Sequence, residues 1–215
     1  MAGAEHAVSA AHQEFTDMIA RFSACADPSE QEAIRLAIWE RFGTIGATFI
    51  SDMANFSVTS RTRGICQFLK LIHRTRETVA PLIEANNGLL LKCDADNCYA
   101  FFEKTGDALR ASFDINAELF RQNQEAPLED HIFVSVGIDY GRLLLIGDED
   151  YFGDPVNTAS KLGEDLATKS ETLVTERAME QTSFKVHESA EHMVARVSDI
   201  EINYLKLMMA EANRR

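Results

Sequence analysis

Apolar and polar positions along the chain follow two different periods, and the order of these periods predicts a β-α-β-β-α-β unit. Ala47–Asp52 is a short apolar run of strand character, and Ser60 to about Glu84 carries apolar residues at the spacing of a buried helix stripe. Further strands are predicted at Gly88–Lys92, Cys98–Phe102 and His131–Ile138, with a second helix at roughly Asp107–Gln122. This order is the split βαβ pattern of ferredoxin-like folds, so the predicted class is α+β, an α/β sandwich with extra strands.

Two aspartates follow predicted strands at the centre of this unit. The first strand and the strand after Asp96 are expected to be antiparallel neighbours, so Asp52 and Asp96 should meet. Asp94 competes with Asp96, because residues two apart on a strand face the same way. Two carboxylates at this place would suit Mg²⁺ or Mn²⁺, and a helix that opens near Phe56 would suit a polyphosphate. The residues alone therefore predict metal-assisted phosphoryl chemistry, which polymerase palms and diguanylate cyclases would also satisfy.

The apolar pattern of residues 1–42 predicts a separate N-terminal helical segment, and residues 43–215 are predicted to form one domain. Two apolar stripes mark two helices, and Asp27-Pro28 between them is a cap followed by proline at the first helical position. The stripes consist of Phe15, Met18, Ile19 and Phe22, and of Ile34, Ile38, Trp39 and Phe42. A helical hairpin packed on the core is the favoured interpretation. A dimerisation or signal-input element is the alternative.

Past the β-α-β-β-α-β unit, the pattern predicts more strands and one further helix. Gly137–Gly141 is predicted to be a turn between two apolar strands, and Asp150–Lys161 is predicted to lead into a helix. Thr172–Thr175 is a short predicted strand, and Phe184–Val186 with Ala195–Met208 alternates like a hairpin that ends in an edge strand. We expect a mixed sheet of about six to eight strands with helices covering it.

Composition narrows the classes of partner. With 34 acidic and 21 basic side chains the net charge is −13, which argues against nonspecific binding to nucleic acid or to an anionic membrane. No apolar run approaches the ~20 residues of a membrane span, so we expect a cytoplasmic protein without direct membrane contact. A domain cut from a larger membrane receptor stays an open alternative. Cys93 and Cys98 could bridge a hairpin, but the reduced state is expected for the cysteines.

Four segments of the chain resemble the class III nucleotide cyclases, in the order in which that family carries them. Phe49-Ile-Ser-Asp52-Met-Ala-Asn-Phe56-Ser57 resembles the F-x-x-D-x-x-x-F-[ST] strand and turn, and Lys92-Cys-Asp-Ala-Asp96 resembles the K-x-x-G-D segment. Val136–Gly141 resembles the G-I-x-x-G strand pair, and Asp150–Lys161 resembles the D-x-x-G-x-x-V-N-x-A-x-R stretch. The match covers about residues 44 to 180 and leaves out the N-terminal helices.

This resemblance implies a metal site and a phosphate site. Asp52 and Asp96, helped by the carbonyl of Met53, would bind two metal ions, Mg²⁺ or Mn²⁺. One ion lowers the pKa of the ribose 3′-hydroxyl, and the other neutralises the triphosphate. Backbone amides at the helix start would cradle phosphate oxygens, and these are the amides of Ala54, Asn55, Phe56 and Ser57.

The same resemblance implies how the nucleotide is recognised and converted. Lys92 would donate to the purine ring and Asp150 would accept from the exocyclic amine, a pattern that suits adenine and that guanine reverses. Asn157 would hold the ribose in line for attack, and Lys161 stands where the family usually has an arginine that stabilises charge on the α-phosphate. The implied activity is conversion of ATP to 3′,5′-cyclic AMP and pyrophosphate by a homodimer with shared sites. An upstream sensor or signalling domain is a further expected partner.

Each of these residues also has an ordinary structural explanation. Lys92 could extend from a strand end, Asp150 lies in an acidic run typical of solvated turns, and Asn157 could cap a helix. Such an explanation is sufficient for any one residue and insufficient for all of them at the family's spacing.

Three features depart from the family pattern. Ala95 replaces a turn glycine, so the hairpin is expected to avoid a positive φ there or to use Asn97 instead. Lys161 supplies a point charge where arginine supplies a planar, two-pronged one. The family's phosphate-contacting lysine has three candidates here, which are Lys185, Arg196 and Lys206. A slow or Mn²⁺-preferring enzyme is consistent with these departures. The alternatives are an inactive regulatory or dimerising module, and a cyclase for GTP or a pyrimidine triphosphate.

Overall fold

The computed structural model describes residues 9–54, 64–184, 190–197 and 200–208. Its helices are α1 (Ala10–Ala24), α2 (Pro28–Phe42), α3 (Ile65–Ala85), α4 (Thr105–Glu125), α5 (Asp154–Ser160) and α6 (Glu176–Met179), with a 3₁₀ turn at Leu128–Asp130 and a π-helical segment at Lys161–Leu166. Its strands are β1 (Gly43–Met53), β2 (Gly88–Asp94), β3 (Asn97–Phe102), β4 (Val134–Ile146), β5 (Asp150–Phe152), β6 (Glu171–Thr175), β7 (Glu191–Val197) and β8 (Ile200–Met208).

Eight strands within the described ranges form one mixed sheet. Their order is β2-β3-β1-β4-β6-β8-β7, with β5 paired to the last residues of β4. β1 is antiparallel to β3 on one side and to β4 on the other, whereas β4 and β6 are parallel. Up to β4 the elements follow the order β-α-β-β-α-β, so the predicted α+β class and the pairing of the first and third strands are confirmed.

The helices α3 and α4 cover one face of this sheet and enclose the main core. Phe49 of β1 and Phe102 of β3 are fully buried beneath them, and Ile115 of α4 packs into the same cluster. Burying a side chain of this size contributes about 1.5–3 kcal/mol, which holds β1 and β3 in a single register. The ends of these two strands are where the polar residues of the candidate site lie.

The predicted turn at Gly137–Gly141 is wrong, because these residues lie inside the uninterrupted strand β4. The two glycines serve packing on the second face of the sheet. A β-carbon at Gly137 would overlap the carbonyl oxygen of Ala159 in α5, and one at Gly141 would lie 2.9 Å from the ring of Pro155. Glycine at these positions lets the backbone of α5 lie directly on the strand.

The C-terminal hairpin differs from its prediction. β7 and β8 pair with each other over the whole of Glu191–Val197, and β8 also pairs with β6. The edge strand is therefore β7, and the last strand is an interior one. Phe184 lies outside any strand, and the remainder of the predicted Phe184–Val186 strand falls outside the described residues. The alternation in Ala195–Met208 belongs to both arms of one hairpin, which explains the error.

The two N-terminal helices pack against the end of the sheet, as the favoured interpretation expects. Side chains from α1 and α2 form a cluster with Ile146 of β4, and the ring of Phe15 stacks on Phe152 of β5 at 5.5 Å. Asp27 caps α2 ahead of Pro28. The division of the chain at residue 42 stays a prediction. None of the helices in the described ranges is both long enough and apolar enough to cross a membrane.

Candidate active site

The structure brings Asp52 and Asp96 together where β1 ends beside the β2–β3 turn. Burial, the largest cause, and the negative charge of the neighbouring Asp96 raise the pKa of Asp52 to about 7. Burial also raises the pKa of Asp96. Two carboxylates that compete for one proton are expected wherever like charges are held close together away from water. Asp94, by contrast, is exposed at the end of β2.

This pair of carboxylates fits a divalent cation. Carboxylate oxygens are the ligands that Mg²⁺ prefers, and a cation here would replace the shared proton and remove the repulsion. Glu164 adds further negative charge near Asp52. The Met53 side chain is buried in the core, which leaves its backbone carbonyl for the predicted ligand role. Because no three His, Cys, Asp or Glu side chains cluster within the described residues, other ligands would have to come from backbone, nucleotide or water.

A disulfide closes the stem of the hairpin that carries Asp96. Cys93 and Cys98 face each other in the β2–β3 register, with Cα atoms 4.2 Å apart, and their sulfur atoms are bonded. The expected reduced state is therefore wrong for this pair, because directly opposed positions in a hairpin bring two cysteines within bonding range. In the part of the chain that is described, Cys25 and Cys66 are free.

The tip of the same hairpin contains an alanine in a left-handed conformation. Ala95 has φ of 46°, so the expectation that the turn would avoid a positive φ there, or use Asn97, is wrong. Arg76 of α3 donates hydrogen bonds to the carbonyl oxygens of Ala95 and Cys93, at 2.7 and 3.3 Å. The turn that presents Asp96 is thus restrained both at its stem and at its tip.

Lys92 and Asp150 form an ion pair between β2 and β5. The Lys92 ammonium lies 2.8 and 2.9 Å from the two carboxylate oxygens of Asp150, and it also lies 5.4 Å from the centre of the Tyr99 ring. The Tyr151 amide donates to Asp150 at 2.8 Å, which orients the carboxylate. The Lys92 side chain is 44% exposed and that of Asp150 is 21% exposed. Water therefore screens the attraction between the two charges, and a ligand can separate them at little cost in free energy.

Register places this ion pair on the same face of the sheet as Asp52. Tyr99 is opposite Lys92 on one side and opposite Ile50 on the other, and residues directly opposite one another share a face. Asp52 lies two residues after Ile50 and therefore points the same way. The Tyr99 hydroxyl also lies 3.4 Å from Glu164 in the π-helical segment. This face is the one opposite to the main core.

Asn157 and Lys161 lie together on α5 and at the start of the π-helical segment. They border a cavity of about 430 Å³ that Asp154, Asp165 and Ile202 also line. Asn157 is exposed within α5, whose N-cap is Gly153, so the helix-cap explanation for this asparagine is wrong. Among the described residues neither side chain has a hydrogen-bond or ion-pair partner, and neither Asp52 nor Asp96 lines this cavity.

Hydrogen bonds from side-chain hydroxyls to backbone carbonyls hold α5 and the π-helical segment against the sheet. The Thr48 hydroxyl donates to the Pro155 carbonyl at 2.9 Å, and the Ser135 hydroxyl donates to the Gly163 carbonyl at 2.9 Å. A β-carbon at Gly163 would lie 2.9 Å from the Ile50 carbonyl oxygen. The position of α5 and of the π-helical segment is therefore determined by β1 and β4.

The predicted phosphate cradle is only partly described. The Ala54 amide donates to the carbonyl of Phe133 at 2.9 Å in this structure, and its predicted contact with phosphate stays a prediction. Asn55, Phe56 and Ser57 lie outside the described residues, as does the predicted helix start at Ser60. Their assignment stays a prediction.

The candidates for a phosphate-contacting cation on the last strands differ in their surroundings. Lys206 on β8 forms an ion pair with Glu171 at 2.5 Å, and this contact raises the pKa of the lysine. Arg196 is exposed on the edge strand β7. Lys185 lies outside the described residues. The choice among these three candidates stays open.

Sequence reasoning missed two arginines that organise the site. Arg76 holds the β2–β3 turn from α3, and Arg177 bonds both the fully buried Asp139 of β4 and Asp154 at the start of α5. Both arginines contact residues that are distant along the chain, and the spacing of residues near them in the sequence does not predict such contacts. Asp139 would have indicated a partner for its buried charge only if its segment had been predicted as a strand, and it was predicted as a turn.

Comparison with known proteins supports the fold suggested by the resemblance. No protein-family model matches this sequence. A protein of Rhizobium meliloti (strain 1021) named "Putative adenylate cyclase 3" is 26% identical over 92 residues, which are 43% of this chain and 16% of that protein. This chain therefore matches only a small part of the relative's length.

Solved structures are similar over most of the chain. An adenylate/guanylate cyclase/hydrolase from Silicibacter pomeroyi has 24% identity and a TM-score of 0.69, over 78% of this chain and 98% of the other. The guanylyl cyclase Cya2 has 17% identity and a TM-score of 0.67, over 80% and 96%. A bacterial light-regulated adenylyl cyclase has 19% identity and a TM-score of 0.63, over 77% and 90%. The fold is that of a nucleotide cyclase catalytic domain, and these neighbours include both adenylyl and guanylyl cyclases.

Proposed function

We propose that this chain is the catalytic domain of a class III adenylate cyclase, which converts ATP to 3′,5′-cyclic AMP and pyrophosphate. The observation that carries the proposal is the meeting of Asp52 and Asp96 on the fold of a nucleotide cyclase. Separate segments of the chain supply these two carboxylates, and their shared proton marks a place suited to cations. Bound Mg²⁺ or Mn²⁺, two ions per site, would acidify the ribose 3′-hydroxyl and neutralise the triphosphate.

The ion pair of Lys92 and Asp150 supports adenine as the base. In the free protein the ammonium and the carboxylate satisfy each other, and both are partly exposed. An adenine ring that enters between them accepts from Lys92 at N1 and donates its exocyclic amine to Asp150. Guanine presents a donor at N1 and an acceptor at O6. It would therefore place a donor against the Lys92 ammonium and an acceptor against the Asp150 carboxylate.

Asn157 and Lys161 complete the proposed mechanism. The Asn157 amide holds the ribose so that its 3′-oxygen lies in line with the α-phosphate, which contributes through orientation. The Lys161 ammonium stabilises the charge that grows on the α-phosphate oxygens during attack. Both side chains border an open cavity and have no partner among the described residues, so they are available to a ligand.

The proposal includes a homodimer with two shared sites, and the separation of Asn157 and Lys161 from the carboxylate pair supports it. Asp52 and Asp96 do not line the cavity beside Asn157 and Lys161. In the proposed assembly, the carboxylate pair of one subunit faces the base-recognition pair, asparagine and lysine of the other, and the twofold symmetry creates two equal sites.

The proposal is tested by incubating the purified chain with each nucleoside triphosphate and Mg²⁺ or Mn²⁺, then separating the products by chromatography. We expect cyclic AMP from ATP, and no product from the Asp52→Asn variant. Formation of cyclic GMP alone would replace ATP by GTP as the substrate. Absence of any cyclic nucleotide, with a folded dimer present, would favour the regulatory-module alternative.

A further inference from the structure

Arg76 extends from α3 to the β2–β3 turn and bonds it at two carbonyl groups. Its Nη2 atom lies 2.7 Å from the Ala95 oxygen and 3.3 Å from the Cys93 oxygen. Ala95 directly precedes Asp96, so the guanidinium holds the peptide from which the Asp96 side chain extends. The Arg76 side chain is partly buried, and its Nε atom is buried without a partner among the described residues.

The turn requires such a restraint because of the backbone at Ala95. Its φ of 46° lies in the left-handed region, where a β-carbon crowds the following carbonyl and where glycine is the usual residue. A hydrogen bond from a charged donor is stronger than one between neutral groups. Placed on the carbonyl of the strained residue, this bond stabilises the conformation that alanine would otherwise leave.

We infer that Arg76 is a positioning residue for Asp96, and that it provides by hydrogen bonding what a turn glycine would provide by conformational freedom. The inference rests on the proposed function, in which Asp96 is a metal ligand. Arg76 itself touches neither metal nor nucleotide. The disulfide of Cys93 and Cys98 restrains the stem of the hairpin, whereas Arg76 restrains the tip.

The test is a double-mutant cycle with metal affinity as its readout. Mn²⁺ binding to the full chain without nucleotide is measured by electron paramagnetic resonance of the free ion. Arg76→Met should raise the dissociation constant about tenfold, as is typical when a residue that orients a ligand is lost. Ala95→Gly alone should change it by less than about twofold, because glycine adopts the same φ without strain. Combined with Arg76→Met, Ala95→Gly should restore most of the affinity.

Arg74 offers a matched control on the same helix. Its Nη1 atom donates to the carbonyl oxygen of Asp130 at 3.0 Å, and that residue lies outside the β2–β3 hairpin. Arg74→Met should lower the melting temperature about as much as Arg76→Met and leave Mn²⁺ affinity unchanged. Unchanged affinity in folded Arg76→Met protein, or failure of Ala95→Gly to restore a lost affinity, would overturn the inference.

Hydrogen exchange separates failure of this inference from failure of the proposed function. Exchange of the amides at Asp96 and Asn97 should accelerate in Arg76→Met and return towards the wild-type rate when Ala95→Gly is added. If wild-type protein binds no Mn²⁺ but exchange follows this pattern, Arg76 positions Asp96 and the metal-dependent function is wrong. If Mn²⁺ binds through Asp52 and exchange does not respond to Arg76, the function stands and the inference is wrong.

Discussion

The carboxylate pair and the segment that carries Asn157 and Lys161 differ in how firmly contacts within this chain hold their side chains. Asp96 lies beside Asp52 and helps to raise its pKa, and the turn that carries Asp96 is held by a disulfide and by Arg76. Asn157 and Lys161 border an open cavity and have no side-chain partner among the described residues. The first region is preorganised within one chain. The second presents side chains without such restraints, and in the proposed dimer their partners would come from the other subunit.

The largest expected effect is the loss of the carboxylate pair. Asp52→Asn or Asp96→Asn should lower turnover by about 10³-fold or more, because an amide cannot neutralise the charge of divalent ions that stabilise the reaction. Initial rates with saturating ATP and Mn²⁺ measure this. The exposed Asp94 is the matched control, and Asp94→Asn should cost less than about threefold, since its carboxylate points into solvent. If Asp94 proves essential and Asp96 dispensable, the assignment of the hairpin is wrong.

Loss of the positive charge of Lys161 should have the next largest effect. Lys161→Ala should lower kcat by about 10²-fold with little change in ATP binding, as expected for a contact that strengthens in the transition state. Single-turnover rates and an equilibrium binding assay separate the two quantities. Wild-type turnover in this variant would make Lys161 a surface residue, and the contrast between the regions would lose its functional meaning.

The base preference should change by a smaller factor. Lys92→Glu combined with Asp150→Cys reverses the hydrogen-bonding pattern, so the ratio of kcat/KM for ATP over GTP should fall by about tenfold or more. Competition between the two nucleotides, with products separated, measures the ratio. Lys70→Gln breaks the ion pair with Asp130 on another part of the surface and changes the net charge by −1, as the double variant does, so it controls for the change in charge. An unchanged ratio would remove Lys92 and Asp150 from base recognition.

Mixing variants from the two regions should return a fraction of the activity. Asp52→Asn and Lys161→Ala proteins should each keep about 1% of wild-type activity or less, but a heterodimer joins one intact carboxylate pair with one intact lysine. With random pairing, half of the dimers are mixed and half of their sites are whole, so about a quarter of wild-type activity should return. Activity should decrease on dilution below the dimer dissociation constant. An inactive mixture with demonstrated subunit exchange would place both residues in one subunit's site.

The smallest expected effect is on stability and depends on pH. The pKa of Asp52 in the folded protein is about 7, above its ordinary value of 3.8. The stability contributed by the protonated carboxyl is fully present below about pH 4 and is lost as the pH rises through 7. Without divalent ions, Asp52→Asn should therefore melt about 2–4 °C above wild type at pH 8.

At pH 5 this difference in melting temperature should be smaller, and Mn²⁺ should raise the melting temperature of wild type only. Differential scanning calorimetry in EDTA or Mn²⁺ measures both effects. A difference that is equal at the two pH values would show that Asp52 is not held near a like charge.

The parts of this molecule that depend on local sequence were predictable, and those that depend on distant contacts were not. The order of strands and helices followed from periodicity, and the motif around Asp150 led to the correct helix. The glycines of β4 were misinterpreted as a turn, because glycine also marks close packing of backbone on backbone. The bond from Arg76 to Cys93 spans 17 residues, and nothing in the intervening sequence indicates it. The left-handed Ala95 could be understood only once that bond was known.

Gly137 determines how closely α5, which carries Asn157, lies against β4. A side chain that sets the distance between two elements can change rotamer, and the distance changes with it. Between β4 and α5 no side chain intervenes at this point, because backbone meets backbone at Gly137 and Ala159. The height of Asn157 above the sheet is thus set by covalent geometry and van der Waals radii, and it does not vary with the rotamer populations that heat or mutation alters.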